Sequence, residues 1–259
     1  MVVVASSLSI AGLILQNVLR NPLMEPYIIG VSSTGALGYV VGLILGIPFP
    51  FDGLMTVAGV VLGFIPVYMA GRSPLKFILM GVAVGLFSSS ILSLLMALNH
   101  QDILKTFYIL WGNVDRIFSA LDITILIALG IISFLLLIIT FGLRRVLMIM
   151  SLPQEEARAF GVDTDRYMRI FILIAFLLTG ISVYLAGVIG FVGLVVPHIA
   201  RMLFPDRMEL IIPSTVIIAT VLLLLSDTLI RVLLPVSLPI GIITSIVGVP
   251  FFVYLLSRW

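Results

Sequence analysis

Asp227 and Arg231 stand four residues apart in "LLSDTLIRVLL", inside an otherwise apolar run. On a helix that spacing puts both on one face, one turn apart, where they can form an ion pair. A charge within a lipid-facing segment is costly and needs a partner or a task. Asp227 therefore reads as neutralised by Arg231, and Arg231, nearer the end of the run, stays open to a further partner. His198 follows Pro197 in "LVVPHIA", a histidine at a helix break that can be hydrogen-bonded in place, hold a ligand or carry a proton. Gln16 and Asn17 end the first apolar run without charge and can face a pore or a neighbouring helix. Gly187, Gly190 and Gly193 imitate the spacing of a dinucleotide-binding fingerprint, but no strand precedes them and their surroundings are apolar, so that reading has no support. None of G-x-x-x-x-G-K-[ST], H-E-x-x-H or G-x-S-x-G occurs, and the two histidines, His100 and His198, are far apart in sequence. Cysteine is absent, which removes disulfides and thiolate metal sites. These residue types predict no metal or cofactor bound by the chain and no catalysis of its own.

One hydrophilic island interrupts the pattern. "SLPQEEARAFGVDTDR", residues 151 to 166, gathers Glu155, Glu156, Arg158, Asp163, Asp165 and Arg166 in a chain of which only 10% is charged. Proline sits near the start, two acids follow in what would be a first helical turn and arginine comes after them, an order the helix dipole favours. Gly161 suits a helix C-terminus. The spacing predicts a short helix projecting from the rest, either solvated or in contact with something else.

These groups must be positioned by membrane-spanning helices. At 61% hydrophobic residues and mean hydropathy +1.32, the chain has too little polar surface to cover a soluble globule of its size. A spanning helix needs roughly 20 apolar residues, and such runs fall at about 2–19, 27–47, 53–70, 75–98, 122–143, 168–187, 189–204, 210–234 and 239–257. The run at 189–204 is short and contains Pro197, so it reads as a broken or partly re-entrant helix. The first run has no basic residue ahead of it and reads as a span rather than a cleaved signal. One set of loops holds Arg20, Arg72, Lys76, Arg144, Arg145, Arg158, Arg166, Arg169, Arg201, Arg207 and Arg258, while the other holds only Lys105, Arg116 and Arg231. The richer set belongs in the cytoplasm, which puts the island and the C-terminus inside the cell and the N-terminus outside. Gly38, Gly42 and Gly46, then Gly59 and Gly63, then Gly81 and Gly85 recur at helix-packing spacing and read first as packing within the chain.

Four stretches together resemble the FecCD-type permeases, the membrane subunits of ABC importers for ferric siderophores, haem and cobalamin. "LQNVLRNPLMEPYIIGVSSTGALG", residues 15 to 38, is similar to the family's L-Q-x-x-x-x-N-P-L-A-x-P-x-x-L-G-V, with Met24 in place of alanine. "EEARAFGV", residues 155 to 162, matches E-x-A-x-x-L-G-V with Phe160 in place of leucine. "AGVIGFVGLVVPHIARML", residues 186 to 203, is the most specific of the four, and "SDTLIRVL" with "LPIGIITSIVGVPFFVYLL" resembles the closing two spans.

The resemblance implies an all-α polytopic bundle with the type II ABC importer permease fold, a single permease domain over residues 1–259 with a cytosolic coupling helix at about 151–163. It also implies a homodimer around a central path, two ATP-binding cassette subunits below that hold ATP and magnesium, and an extracytoplasmic substrate-binding protein above. Carried over onto this sequence, coupling falls to Glu155, Glu156, Ala157, Arg158, Gly161 and Val162, with the small Ala157 and Gly161 at the close contact. Docking of the binding protein falls to Arg231, with Lys105 and Arg116, and the path or family motif to Gln16, Asn21, Pro22, Gly190, Pro197, His198 and Asp227. Family members have ten spans, the first followed by an outer loop with an R-x-P-R motif. This chain is expected to start within what would be their second span, giving nine. An ion-coupled secondary transporter is the competing reading. It needs paired carboxylates or broken helices at mid-membrane, and Asp227 is the one carboxylate that reads as well inside a span.

Overall fold

The computed structural model describes residues 1–47, 51–69, 73–98, 110–112, 120–233 and 238–257. Arg72, His100, Lys105, Arg116 and Arg258 lie outside the described residues. The described chain is helical: α1 (Val2–Val18), α2 (Val31–Ile44), α3 (Asp52–Met69), α4 (Pro74–Leu98), α5 (Ala120–Gly142), α6 (Arg144–Ile149), α7 (Gln154–Ala159), α8 (Thr164–Ala186), α9 (Val192–Leu203), α10 (Met208–Leu233) and α11 (Ile240–Ser257).

Nine of these helices correspond to the nine apolar runs. Four contain a stretch long and apolar enough to cross a membrane, Pro74–Leu98, Ile123–Gly142, Thr164–Ala186 and Met208–Val232, and the other five apolar helices are shorter. The run at 27–47 becomes helical only at Val31, because residues 21–30 form turns. The run at 189–204 divides into an elbow at 187–191 and the 12-residue α9 with Pro197 inside it.

α1 is the axis of the bundle. Its residues from Val4 to Val18 are all buried, packed by α8, α9 and α10. In the apolar window of α8, 72% of residues are buried, against 11% in that of α5, so α8 is interior and α5 presents its surface to lipid. Helices in lipid gain no hydrophobic drive toward each other and pack best where small residues let backbones meet. A Cβ on Gly12 of α1 would lie 1.9 Å from the Gly193 carbonyl oxygen of α9. The same close approach joins α2 to α3 at Gly38 and Gly59, and Gly81 and Gly85 of α4 sit against the turn at Ile29 and Gly30. Gly46 departs from the packing reading: it lies past the end of α2 at φ +65°, with nothing within 4 Å of a Cβ.

Among the described residues, loops of the basic set meet at one end of the bundle. Arg20 Nε donates to Met150 O at 3.2 Å, and Arg144 pairs with Glu209 at 3.2 Å. Arg201 corrects the sequence reading, since it belongs to the last turn of α9 rather than to a loop and its guanidinium donates to Gln16 Oε1 at 2.7 Å.

Candidate functional site

At the basic end the island forms α7, and its residues explain its shape. Pro153 fixes the entry with φ −49°, and Glu155 and Glu156 occupy the first turn with Arg158 in the last. Gly161 then turns the chain at φ +77°. Its amide donates to Arg158 O, and the Val162 amide donates back to Ala157 O, the paired bonds of a Schellman cap with its apolar contact between the two outer residues. Two of the residues expected to couple turn inward. Ala157 is 0% exposed and Val162 9%, so both close the cap inward, and Ala157 cannot be a surface contact here. Glu155, Glu156, Arg158 and Gly161 remain exposed, and with them Phe160, at 68% the one exposed large apolar side chain in the island. Arg158 also reaches Asp165 and Thr164, tying α7 to the first turn of α8.

A Cβ at Gly161 would meet nothing within 4 Å in this chain, so its backbone conformation, not its size, is what the fold requires. Gly161→Asn, which tolerates the left-handed region, should therefore melt close to wild type, whereas Gly161→Val should lose about 1–2 kcal/mol. Equal losses, measured as melting temperatures of the purified protein, would mean that the left-handed backbone at 161 is not what the fold requires.

Gln16, Pro197 and Arg201 come together where α1 meets α9. Pro197 has no N–H, so the Gly193 carbonyl four residues earlier loses its helical donor. Gln16 Nε2 replaces it at 3.2 Å, also reaching Leu194 O at 3.2 Å, while Gln16 Oε1 accepts from Arg201. Gln16 thus faces a neighbouring helix. Asn21 Oδ1 accepts from the Leu23 amide, which shapes with Pro22 the turn that reverses the chain after α1. His198 packs its ring edge-on against Phe251, with centroids 6.2 Å apart. Gln16, Pro22, His198, Arg201 and Phe160 border one open cleft of about 820 Å³ at this end.

Further along the bundle, the turn at 25–27 meets the elbow at 187–191. The Phe191 amide donates to Glu25 Oε1 and the Ile189 amide to the Tyr27 hydroxyl, holding Phe191 at φ +68° as the N-cap of α9. Glu25 is only 8% exposed. Asp227 is therefore not the chain's one interior carboxylate, and the argument against ion coupling that rested on it does not stand. Sequence reasoning passed over Glu25 because it lies between two runs, where a polar residue reads as a loop. Glu25, Tyr27 and Gly190 line a chamber of about 330 Å³. Asp227 and Arg231 form the expected pair, with Nε to Oδ2 at 2.9 Å and the Arg231 side chain 55% exposed. Lys105 and Arg116, read with Arg231 as docking residues, lie outside the described residues. No cluster of three or more His, Cys, Asp or Glu able to hold a metal occurs among the described residues.

The model of the FecCD transport family matches residues 1–258. The chain is similar to the Fe(3+)-citrate import system permease protein YfmD of Bacillus subtilis (strain 168), 34% identical over 265 residues that cover 99% of this chain and 78% of the relative. It is similar to the vitamin B12 import system permease protein BtuC of Serratia proteamaculans (strain 568), 32% identical over 98% of this chain and 77% of the relative. Its fold resembles a metal-chelate type ABC transporter solved in an inward-facing conformation, with TM-score 0.88 and 28% identity, covering 100% of this chain and 83% of that one.

Proposed function

The chain belongs to the FecCD transport family, and from that membership we propose that it is the transmembrane permease subunit of an ATP-driven importer of a metal chelate such as a ferric siderophore, haem or cobalamin. The observation that carries this reading is the extent of the match: family model and fold likeness each span essentially the whole chain, so the function is not borrowed from one motif. The permease works as a homodimer in the plasma membrane of a prokaryote, with its C-terminus in the cytoplasm, and catalyses nothing itself. Two ATPase subunits dock on the basic end, where the exposed face of α7, Glu155, Glu156, Arg158, Phe160 and Gly161, receives their motion. A substrate-binding protein docks at the opposite end, where the Arg231 side chain, paired with Asp227, is 55% exposed. Selection of the chelate rests largely with that protein.

Reconstitution tests the reading. The purified permease alone is expected to hydrolyse no ATP, because it has no phosphate-cradling loop. Hydrolysis should appear with the ATPase subunit and rise further when the binding protein is added to proteoliposomes. Arg231→Glu should weaken that last stimulation, more so at low salt, because rim charges act through association rate and are screened by ions. ATP hydrolysis by the rigorously purified single subunit would overturn the assignment.

A further inference from the structure

The chamber beside the elbow contains an interior carboxylate that the permease reading does not use. Its walls come from α2, α4, α11 and residues 188–191, apart from the cleft at the basic end. The polar groups there are Glu25, Tyr27, Ser32, Ser33 and Ser89 with the backbone at Gly190, and no basic side chain lines it among the described residues. One Glu25 oxygen accepts from the Phe191 amide, and the other accepts no hydrogen bond among the described residues. Ser32, 3% exposed, has an Oγ without a hydrogen bond of normal geometry, although the Tyr27 hydroxyl lies beside it. Ser89 Oγ donates to Ser33 Oγ at 3.1 Å across α4 and α2.

A carboxylate inside a membrane protein is retained against a desolvation cost, and its default reading is a functional one. Here the enclosure supplies acceptors and one formal negative charge but no cation among the described residues, and the Ser32 hydroxyl is buried without a hydrogen bond of normal geometry. Most buried polar atoms in native proteins find partners, and an exception needs an explanation, a bound ion or polar ligand among them. We propose that this chamber is a binding site for a cationic or hydrogen-bond-donating group, with Glu25 as its charge and the hydroxyls of Ser32, Ser33 and Ser89 as its neutral contacts. Within the import reading on which this rests, that group is the donor face of the passing chelate, an amide, hydroxyl or ammonium. A free monovalent cation offers the same chemistry. A polycarboxylate chelate would meet like charge and be disfavoured.

Equilibrium binding to the purified permease–ATPase complex separates these sources, with three probes: sodium ion, a neutral ferric trihydroxamate and ferric citrate. Glu25→Gln is the decisive variant, since its amide oxygen can still accept from Phe191 while the charge is gone, and Glu25→Ala removes both. Charge-assisted contacts of this kind correspond to about a tenfold change in affinity. Saturable sodium binding weakened about tenfold in Glu25→Gln identifies a free cation. A preference of about tenfold for trihydroxamate over citrate that disappears in Glu25→Gln identifies the cargo. If Glu25→Gln leaves all three probes as in wild type, the proposal is overturned and Glu25 merely clamps the elbow, an outcome that loss of folded protein in Glu25→Ala alone would reinforce. Sodium binding is read on the complex at rest, so its result stands apart from failure of ATP-driven import.

Discussion

Gln16→Leu should destabilise the protein by about 3 kcal/mol, and Pro197→Ala should recover part of the loss. One amide side chain serves two groups at the α1–α9 junction. Its Nε2 supplies the donor that Pro197 withholds from Gly193 O, and its Oε1 accepts from the partly buried Arg201 guanidinium. Leucine keeps the volume and abandons both, and stranding a buried acceptor together with a charge costs more than the net worth of either hydrogen bond. Alanine at 197 has an N–H that can rejoin the Gly193 carbonyl through the helix itself. Pro197→Ala alone should then be close to neutral, and the double variant less destabilised than the sum of the singles by about 1 kcal/mol. Melting temperatures of the four proteins in detergent give the cycle. Strict additivity would mean that glutamine and proline act independently and that the shared carbonyl is not what links them.

Gly12→Ala has the second large expected effect, out of proportion to one methyl group. The added carbon would sit 1.9 Å from a backbone oxygen of α9, which cannot swing aside as a side chain can. The two helices must separate, and separation also lengthens every Gln16 contact described above. A loss at or beyond the upper end of the usual overpacking range of about 1–3 kcal/mol is expected, seen as a lower melting temperature and a smaller monodisperse fraction on size exclusion. Gly130→Ala is the control, because a Cβ there meets only a Val3 side-chain methyl at 3.6 Å on the lipid-facing α5. That change should be neutral or slightly stabilising, since alanine is the better helix former. Equal behaviour of the two variants would refute the close α1–α9 approach.

The sequence disclosed some of this arrangement and concealed the rest for physical reasons. The apolar runs, the short α7, its closing glycine and the Asp227–Arg231 pair are local patterns, each set by residues within one or two helical turns. Glu25 and Arg201 were misread because their surroundings come from distant segments. A carboxylate in a turn is ordinarily solvated, and only the return of residues 187–191 over it makes it interior. An arginine next to a polar break ordinarily counts as a loop charge, and only Gln16, 185 positions away, draws it inward. Ala157 was legible only in part: its smallness stands out in the motif, but its burial within the helix's own cap does not.

The ties around α7 also determine how force travels. Arg158 fastens α7 to the start of α8, and Arg20 fastens the end of α1 to Met150, a few residues ahead of α7. α8 and α1 lie packed together at the centre. If α7 has the proposed coupling role, a push on it would meet a stiff crank rather than a slack tether and would reach the axial pair before α5 at the rim. The elbow ahead of α9 is pinned in its turn, since a strained non-glycine residue is held there by two side chains from a single turn.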